Sequence, residues 1–130
     1  MANESLREKF PEILNDFLEV ALVYLFGSQV SRITGPLRDY DLAILDEGPT
    51  GDVALQTRFQ FALSRVLGTD RVDVILLNRA PVELAFEIIS SGVLLYQKDL
   101  FPHVEYEATV MSLYGDYLPY MVRREDGTGG

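Results

Sequence analysis

Three aspartates and a Gly-Ser pair are the residues of this chain whose types and spacing can do chemistry. Gly27 and Ser28 follow an apolar run, and ten further residues separate them from Asp39 and Asp41. Side chains two apart on an extended strand project to the same side, so these two carboxylates can lie a few ångströms from each other. Like charges held that close are unfavourable unless a cation neutralises them. The pair therefore predicts a divalent-cation site.

Asp73 is the third candidate ligand, because it interrupts an otherwise apolar stretch. A carboxylate in a buried strand costs free energy unless it meets a metal or a partner. If its strand lies beside that of Asp41, Asp73 completes a three-carboxylate site; the alternative is an ion pair with Arg71 or Arg79. The chain has no cysteine and only one histidine, His103. Oxygen ligands of this kind favour Mg²⁺ or Mn²⁺ over zinc.

The Gly-Ser pair stands where a buried strand gives way to a short helix or turn at about residues 28–33. Glycine lets the backbone approach a phosphate closely, the free N–H groups at a helix start favour anions, and the Ser28 hydroxyl adds a donor. With two metal ions, such a site catalyses in-line displacement at phosphorus. An acceptor hydroxyl would attack the α-phosphate of a nucleoside triphosphate, Asp73 would orient or deprotonate it, and pyrophosphate would leave.

The elements that must position these residues alternate between helix and strand. Apolar periodicity predicts helices at about 3–19, 52–67, 82–90 and 99–124, and strands at about 20–26, 41–45, 71–77 and 93–96. This order favours an α/β (α+β) fold with a small mixed sheet of three to four strands flanked by helices. The length of 130 residues predicts a single domain, 1–130. Its core would span about 20–97, its C-terminal helical part about 99–124, and a frayed tail 125–130.

The charge balance limits the partners. Twenty Asp and Glu residues stand against eleven Lys and Arg, which gives a formal net charge of −9. A long nucleic-acid duplex is therefore not expected as a ligand, since binding its backbone needs clustered positive charge. Acidic residues within the first twenty positions exclude a secretory signal core, and the longest apolar run, Val20–Phe26, is too short to cross a bilayer. We expect a cytoplasmic protein without a membrane segment.

Aromatic residues and a histidine mark the last predicted helix. Tyr106, Tyr114, Tyr117 and Tyr120 recur along it. This series is interpreted mainly as core packing, with burial against a partner as the alternative. His103 follows a proline at the helix start and is interpreted as a surface or capping residue.

The Gly-Ser pair, the ten-residue spacer, the Asp-x-Asp pair and the later strand aspartate together resemble the nucleotidyltransferase superfamily that includes DNA polymerase β and kanamycin nucleotidyltransferase. The stretch 71–96, with its run Val-Asp-Val-Ile-Leu-Leu-Asn-Arg-Ala-Pro, resembles more narrowly the minimal nucleotidyltransferase (MNT) antitoxins encoded beside HEPN-domain toxins. The resemblance covers roughly residues 10 to 120. The chain departs from many relatives in having Ser31-Arg32 in place of Arg-Gly, and Arg38-Asp39-Tyr40-Asp41 in place of Ser-Asp-Ile-Asp.

This resemblance implies a nucleotidyltransferase fold and an Mg²⁺-dependent enzyme that transfers AMP from ATP to a tyrosine of a partner HEPN RNase toxin, silencing it. It assigns nucleotide binding to Gly27 and Ser28, to which Arg32 is added as a candidate triphosphate contact. It assigns metal binding and catalysis to Asp39, Asp41 and Asp73. Two alternatives stay open: a non-catalytic antitoxin that blocks the toxin by binding, and nucleotidyl transfer to a small molecule such as an aminoglycoside.

Overall fold

The computed structural model describes the backbone of residues 2–27, 40–48, 53–99 and 102–129, and the side chains of residues 6–27, 40–48, 53–99 and 102–118. Its helices are α1 (Ala2–Leu14), α2 (Val53–Leu67), α3 (Val82–Ser91) and α4 (Pro102–Gly129). Its strands are β1 (Val20–Phe26), β2 (Tyr40–Asp46), β3 (Val72–Leu76) and β4 (Val93–Gln97), and a 3-10 turn occupies Leu77–Arg79. The alternation of helix and strand predicted from the sequence is present in these elements.

The four strands form one mixed sheet in the order β3-β2-β1-β4. β1 is antiparallel to both β2 and β4, whereas β2 and β3 are parallel. Parallel neighbours need a crossover, and α2 lies between these two strands in the chain. A four-stranded mixed sheet with flanking helices confirms the predicted fold class.

Two apolar clusters lie on opposite faces of the sheet. One joins strand residues such as Leu42 to Phe10 of α1 and Phe59 of α2. The other joins Ala43 and neighbouring strand residues to Ile88 of α3 and to α4. Because side chains alternate along a strand, odd-numbered residues of β2 and β3 project towards α3 and α4. This parity places Asp41 and Asp73 on the α3/α4 side of the sheet.

Helix α1 ends earlier than the sequence predicts, at Leu14 instead of about residue 19. Tight turns take over, with Asp16 N donating to the carbonyl of Ile13 at 3.2 Å and Phe17 N to that of Leu14 at 3.1 Å. Phe17 nevertheless reaches the core, where its ring meets Phe59 edge to face at 5.2 Å. The apolar periodicity therefore outlasts the helix, because the turn keeps Phe17 on the buried side.

Helix α4 runs without a break from Pro102 to Gly129, past its predicted end at about residue 124. The predicted tail, 125–130, is thus helical as far as Gly129, although Gly127 and Gly129 are weak helix formers. Within the ranges that the structure describes, no helix combines the length and the hydropathy needed to cross a membrane.

Side chains from neighbouring helices satisfy backbone groups of both edge strands. On β3, the Val74 carbonyl accepts from Gln56 Nε2 at 2.6 Å, and the Val74 amide donates to Gln60 Oε1 at 3.0 Å. On β4, the Leu94 carbonyl accepts from Arg7 Nη2 at 2.8 Å. An exposed strand edge invites pairing with another chain. The two glutamines mimic a neighbouring strand and reduce that risk at β3.

Gln60→Ala is expected to destabilise the chain by about 1 kcal/mol, because it leaves the half-buried amide of Val74 without this acceptor. The measurements are urea unfolding and hydrogen exchange at the Val74 amide, which should lose protection. Thr57→Ala, on the exposed side of the same helix, is the control and should leave that exchange unchanged. Unaltered exchange in Gln60→Ala would contradict the assigned role.

Candidate active site

Phe26, Asp41 and Asp73 form one row across three neighbouring strands. Asp41 is paired with Phe26 of β1 in the antiparallel ladder and with Asp73 of β3 in the parallel ladder. The backbone amide of Tyr40 donates to the carbonyl of Arg71 at 2.9 Å and extends the pairing past this row. Adjacent strands are about 4.8 Å apart. The fold thus brings two of the three predicted carboxylate residues side by side on one face of the sheet.

Gly27 closes β1 beside the carboxylate of Asp41. Its φ is +78°, in the left-handed region that favours glycine. A Cβ built on Gly27 would lie 2.6 Å from Asp41 Oδ2. The missing side chain therefore leaves the space that the Asp41 carboxylate occupies. This contact joins the predicted phosphate-binding turn to the predicted metal site.

The row differs in exposure from one strand to the next. Asp41 is half-buried and Asp73, on the edge strand, is exposed. The described ion pair Lys98–Glu47 and the close contact His103–Glu107 do not include Asp73. Asp73 is thus accessible to a ligand arriving at the edge of the sheet.

The donor set fits a hard divalent cation as far as the described residues reach. Two carboxylates on neighbouring strands supply the oxygen ligands that Mg²⁺ prefers. Three of the predicted site residues, Ser28, Arg32 and Asp39, lie outside the described residues. Where side chains are described, no three His, Cys, Asp or Glu residues come together as a metal site. The three-carboxylate centre therefore stays a prediction that depends on Asp39.

A polar network lies one row further along the same face. The hydroxyl of Tyr24, which is paired with Ala43 in β2, donates to Glu107 Oε2 of α4 at 2.6 Å. His103 Nε2 lies 2.8 Å from the same oxygen. The sequence interpretation missed this network, although a tyrosine within an apolar buried strand is a signal, because a buried hydroxyl needs a partner. Glu107 thereby fastens α4 to the strand that leads into Gly27.

The profile of the family described as "Polymerase beta, Nucleotidyltransferase" matches residues 8–100, which include the Gly27 turn, Asp41 and Asp73. The chain belongs to this nucleotidyltransferase family. A comparison with curated proteins found no match.

Solved structures of toxin–antitoxin complexes share the fold of this nucleotidyltransferase. A chain of a mutant MntA-HpeT complex aligns with a TM-score of 0.76 at 21% identity, covering 95% of this chain and 98% of that one. A chain from a toxin–antitoxin structure with AMP-PNP aligns with a TM-score of 0.76 at 22% identity, covering 95% of this chain and 98% of that one. A chain from the complex of a tri-AMPylated Shewanella oneidensis HEPN toxin with MNT antitoxin aligns with a TM-score of 0.74 at 22% identity. The alignment covers 98% of this chain and 99% of that one. At these identities the likeness establishes the fold.

Two tyrosines of the nucleotidyltransferase are held in their neutral form near the site. Burial, reinforced by the hydrogen bond to Glu107 and by its negative charge, raises the pKa of Tyr24 above its ordinary value of 10.0. Burial alone raises the pKa of Tyr106 to about 12. Within the described part of the chain, the buried hydroxyl of Tyr106 has no hydrogen-bond partner. The two hydroxyls should therefore contribute to stability with opposite signs.

Tyr24→Phe is expected to destabilise the fold by about 1.5–3 kcal/mol, since it removes a hydrogen bond to a charged acceptor. Tyr106→Phe, the matched control, should be neutral or stabilising because it removes a buried hydroxyl without a described partner. In the wild type, both raised pKa values make the folded state progressively less stable as the pH rises from about 10 towards 12, because the ionised tyrosines are then favoured in the unfolded chain. Urea unfolding at a series of alkaline pH values measures all three effects. Equal losses in the two variants would contradict the assignment.

Proposed function

We propose that this nucleotidyltransferase is an Mg²⁺-dependent antitoxin of the cytoplasm that transfers AMP from ATP to a tyrosine of a partner HEPN toxin and so neutralises it. The observation that carries the proposal is the row of Asp41 and Asp73 with Gly27 against the Asp41 carboxylate. Support for the nucleotide and the partner comes from the structural neighbours that contain AMP-PNP and an AMPylated HEPN toxin.

The residues of the proposed site would have two separate roles, triphosphate binding and metal binding. Gly27, with Ser28 and Arg32, would receive the triphosphate where the backbone can approach it closely. Asp41 and Asp73, with Asp39, would hold Mg²⁺ through carboxylate oxygens. When bound, Mg²⁺ neutralises charge on the phosphates and polarises the phosphorus under attack. Exposure of Asp73 at the sheet edge leaves room for an acceptor side chain beside it.

The reaction is a displacement at the α-phosphorus of ATP. The tyrosine oxygen forms the new bond to phosphorus, the bond from phosphorus to the bridging oxygen of the β-phosphate breaks, and pyrophosphate leaves with that electron pair. Asp73 would orient the hydroxyl or accept its proton. Catalysis of this kind depends mainly on positioning and on stabilising charge.

A double-label experiment tests the proposal. The chain is incubated with Mg²⁺, the protein encoded by the neighbouring gene, and ATP labelled at either the α- or the γ-phosphate. We expect the α-label to appear on a tyrosine of the partner and the γ-label to be released as pyrophosphate. Transfer of the γ-label would indicate a kinase, and no transfer from either ATP would overturn the proposal. Asp70→Asn, at an exposed position three residues before Asp73, is the matched control and should transfer normally.

The charge of the chain favours a second candidate, an antitoxin that acts by binding alone. A net charge of −9 suits a surface that covers the basic cleft of an RNase. The double variant Asp39→Ala, Asp41→Ala separates the two functions. If it still neutralises the toxin fully, binding suffices; if the toxin regains its RNase activity, transfer is required.

A further inference from the structure

Helix α4 carries a stripe of exposed apolar side chains. Val104, Met111 and Leu118 are 60%, 54% and 39% exposed and follow one another at intervals of seven residues. Seven residues are close to two full helical turns, so the three side chains lie along one side of the helix. Ala108 and Gly115 fall between them on that side and are exposed. These five residues, here called the outer stripe, extend over about 21 Å of helix.

The side of α4 that adjoins the outer stripe is firmly attached to the rest of the molecule. Glu107 accepts a hydrogen bond from the hydroxyl of Tyr24, and Val110 is buried. The ring of Tyr114 stacks on that of Phe86 in α3, with the ring centroids 3.9 Å apart. These contacts recur along the first four turns of the helix. The outer stripe is therefore presented on a rigid support, which lowers the entropy lost when a partner docks.

Gly115 is unexpected in the middle of this helix. Glycine there costs about 1 kcal/mol relative to alanine. A Cβ on Gly115 would meet no other atom within 4 Å, so packing within the chain does not demand a glycine. A small residue between two large ones does allow another helix to approach closely, because the distance between helix axes depends on the side chains at the contact. The geometry of the outer stripe thus suits a helix as its partner.

Charge decides which kind of helix fits. Residues 102–118 contain Glu105, Glu107 and Asp116 and no lysine or arginine. Glu105 and Asp116 are exposed beside the outer stripe. A second copy of the chain would bring another −9 charge against this acidic border, which opposes self-association. A basic partner would be attracted to it instead.

We infer that the outer stripe of α4 is the docking surface for a helix with basic flanking residues on the toxin on which the chain acts. The inference rests on the proposed function for the identity of the partner, and it assigns recognition to a surface distinct from the Asp41–Asp73 row. Docking through a rigid helix fixes the partner relative to the sheet. The acceptor tyrosine of the toxin would then reach the Asp41–Asp73 row while the toxin is held on α4.

The test measures binding of the neighbouring gene's product by calorimetry. The triple variant Val104→Ser, Met111→Ser, Leu118→Ser is expected to raise the Kd by about 100-fold, since buried apolar anchors at interfaces are worth about 1 kcal/mol or more each. Leu18→Ser with Phe61→Ser is the matched control, because these side chains are 68% and 63% exposed elsewhere. Its Kd should not change. Equal Kd values for the triple variant and the wild type would overturn the inference.

The variant Gly115→Leu is a second, independent test of the docking surface. It removes a helix-disfavouring residue, so the isolated chain should melt at the same or a higher temperature. Binding should nevertheless weaken by at least tenfold, because the leucine fills the space for the docking helix. Unchanged binding, or a wild-type dimer in sedimentation that the triple variant dissociates, would overturn the inference; the dimer would make a second copy the occupant. If the triple variant binds the partner more weakly but the wild type transfers no α-label, the proposed function alone is refuted. If the wild type transfers the α-label but the triple variant binds as tightly as the wild type, this inference alone is refuted.

Discussion

Asp41→Asn is expected to lower the rate of nucleotidyl transfer by about 10²- to 10⁴-fold, because a metal at the phosphates supplies several kcal/mol of charge stabilisation. Asparagine keeps the size and one oxygen of the side chain but loses the negative charge that holds a divalent cation. The measurement is transfer of α-labelled AMP to the partner at saturating ATP. Asp70→Asn, which changes the net charge equally at an exposed loop position, should retain the wild-type rate.

The same variant separates a metal ligand from a structural residue. Mg²⁺ that binds only the folded chain raises its stability. The wild type should therefore melt at a higher temperature with Mg²⁺ than with a chelator, and Asp41→Asn should lose that increment. The increment is measured within each protein, as the difference between its melting temperatures with Mg²⁺ and with a chelator. A variant that transfers normally, or that keeps the wild-type Mg²⁺ increment, would refute the metal-binding role of Asp41.

The local pattern of residues was sufficient to predict the strands that carry Asp41 and Asp73. Val20–Phe26 is apolar throughout, and a run of that kind is typical of a buried strand. Asp41 and Asp73 each begin a short apolar run, which places both near the start of a strand. Their side-by-side pairing follows from the parallel register of β2 and β3. That register depends on the tertiary structure. The sequence alone therefore predicted the carboxylate site only on the condition that the two strands are neighbours.

Other contacts depend on partners far apart in the chain and left no local signal. Asn78 belongs to the run that carries the family resemblance, yet its role is visible only in the fold. Its Oδ1 accepts from Asp46 N at 2.9 Å and its Nδ2 donates to Asp46 O at 2.8 Å. This amide extends the parallel ladder after β3 has turned away. Gln56 and Gln60 likewise look like ordinary polar helix residues until the edge of β3 is placed beside them.

Gly27→Ala is expected to impair catalysis more than stability. At φ +78° an alanine costs about 1–2 kcal/mol, and its Cβ would lie 2.6 Å from Asp41 Oδ2. The carboxylate must then move, and a displacement of about 1 Å in a catalytic group can lower the rate by about 10²-fold. Transfer of α-labelled AMP and urea unfolding, measured on the same preparation, give the two effects separately.

Gly68→Ala is the matched control for this substitution. Gly68 also has a positive φ, +71°, but a Cβ there would meet no atom within 4 Å. It should therefore lose about 1 kcal/mol of stability from backbone strain while keeping the wild-type rate. If Gly27→Ala loses stability alone and transfers AMP as fast as Gly68→Ala, the contact between the glycine turn and Asp41 has no part in catalysis. A selective loss of rate in Gly27→Ala ties the turn to the carboxylate row, because the two variants share the strain and differ only in what the new methyl group meets.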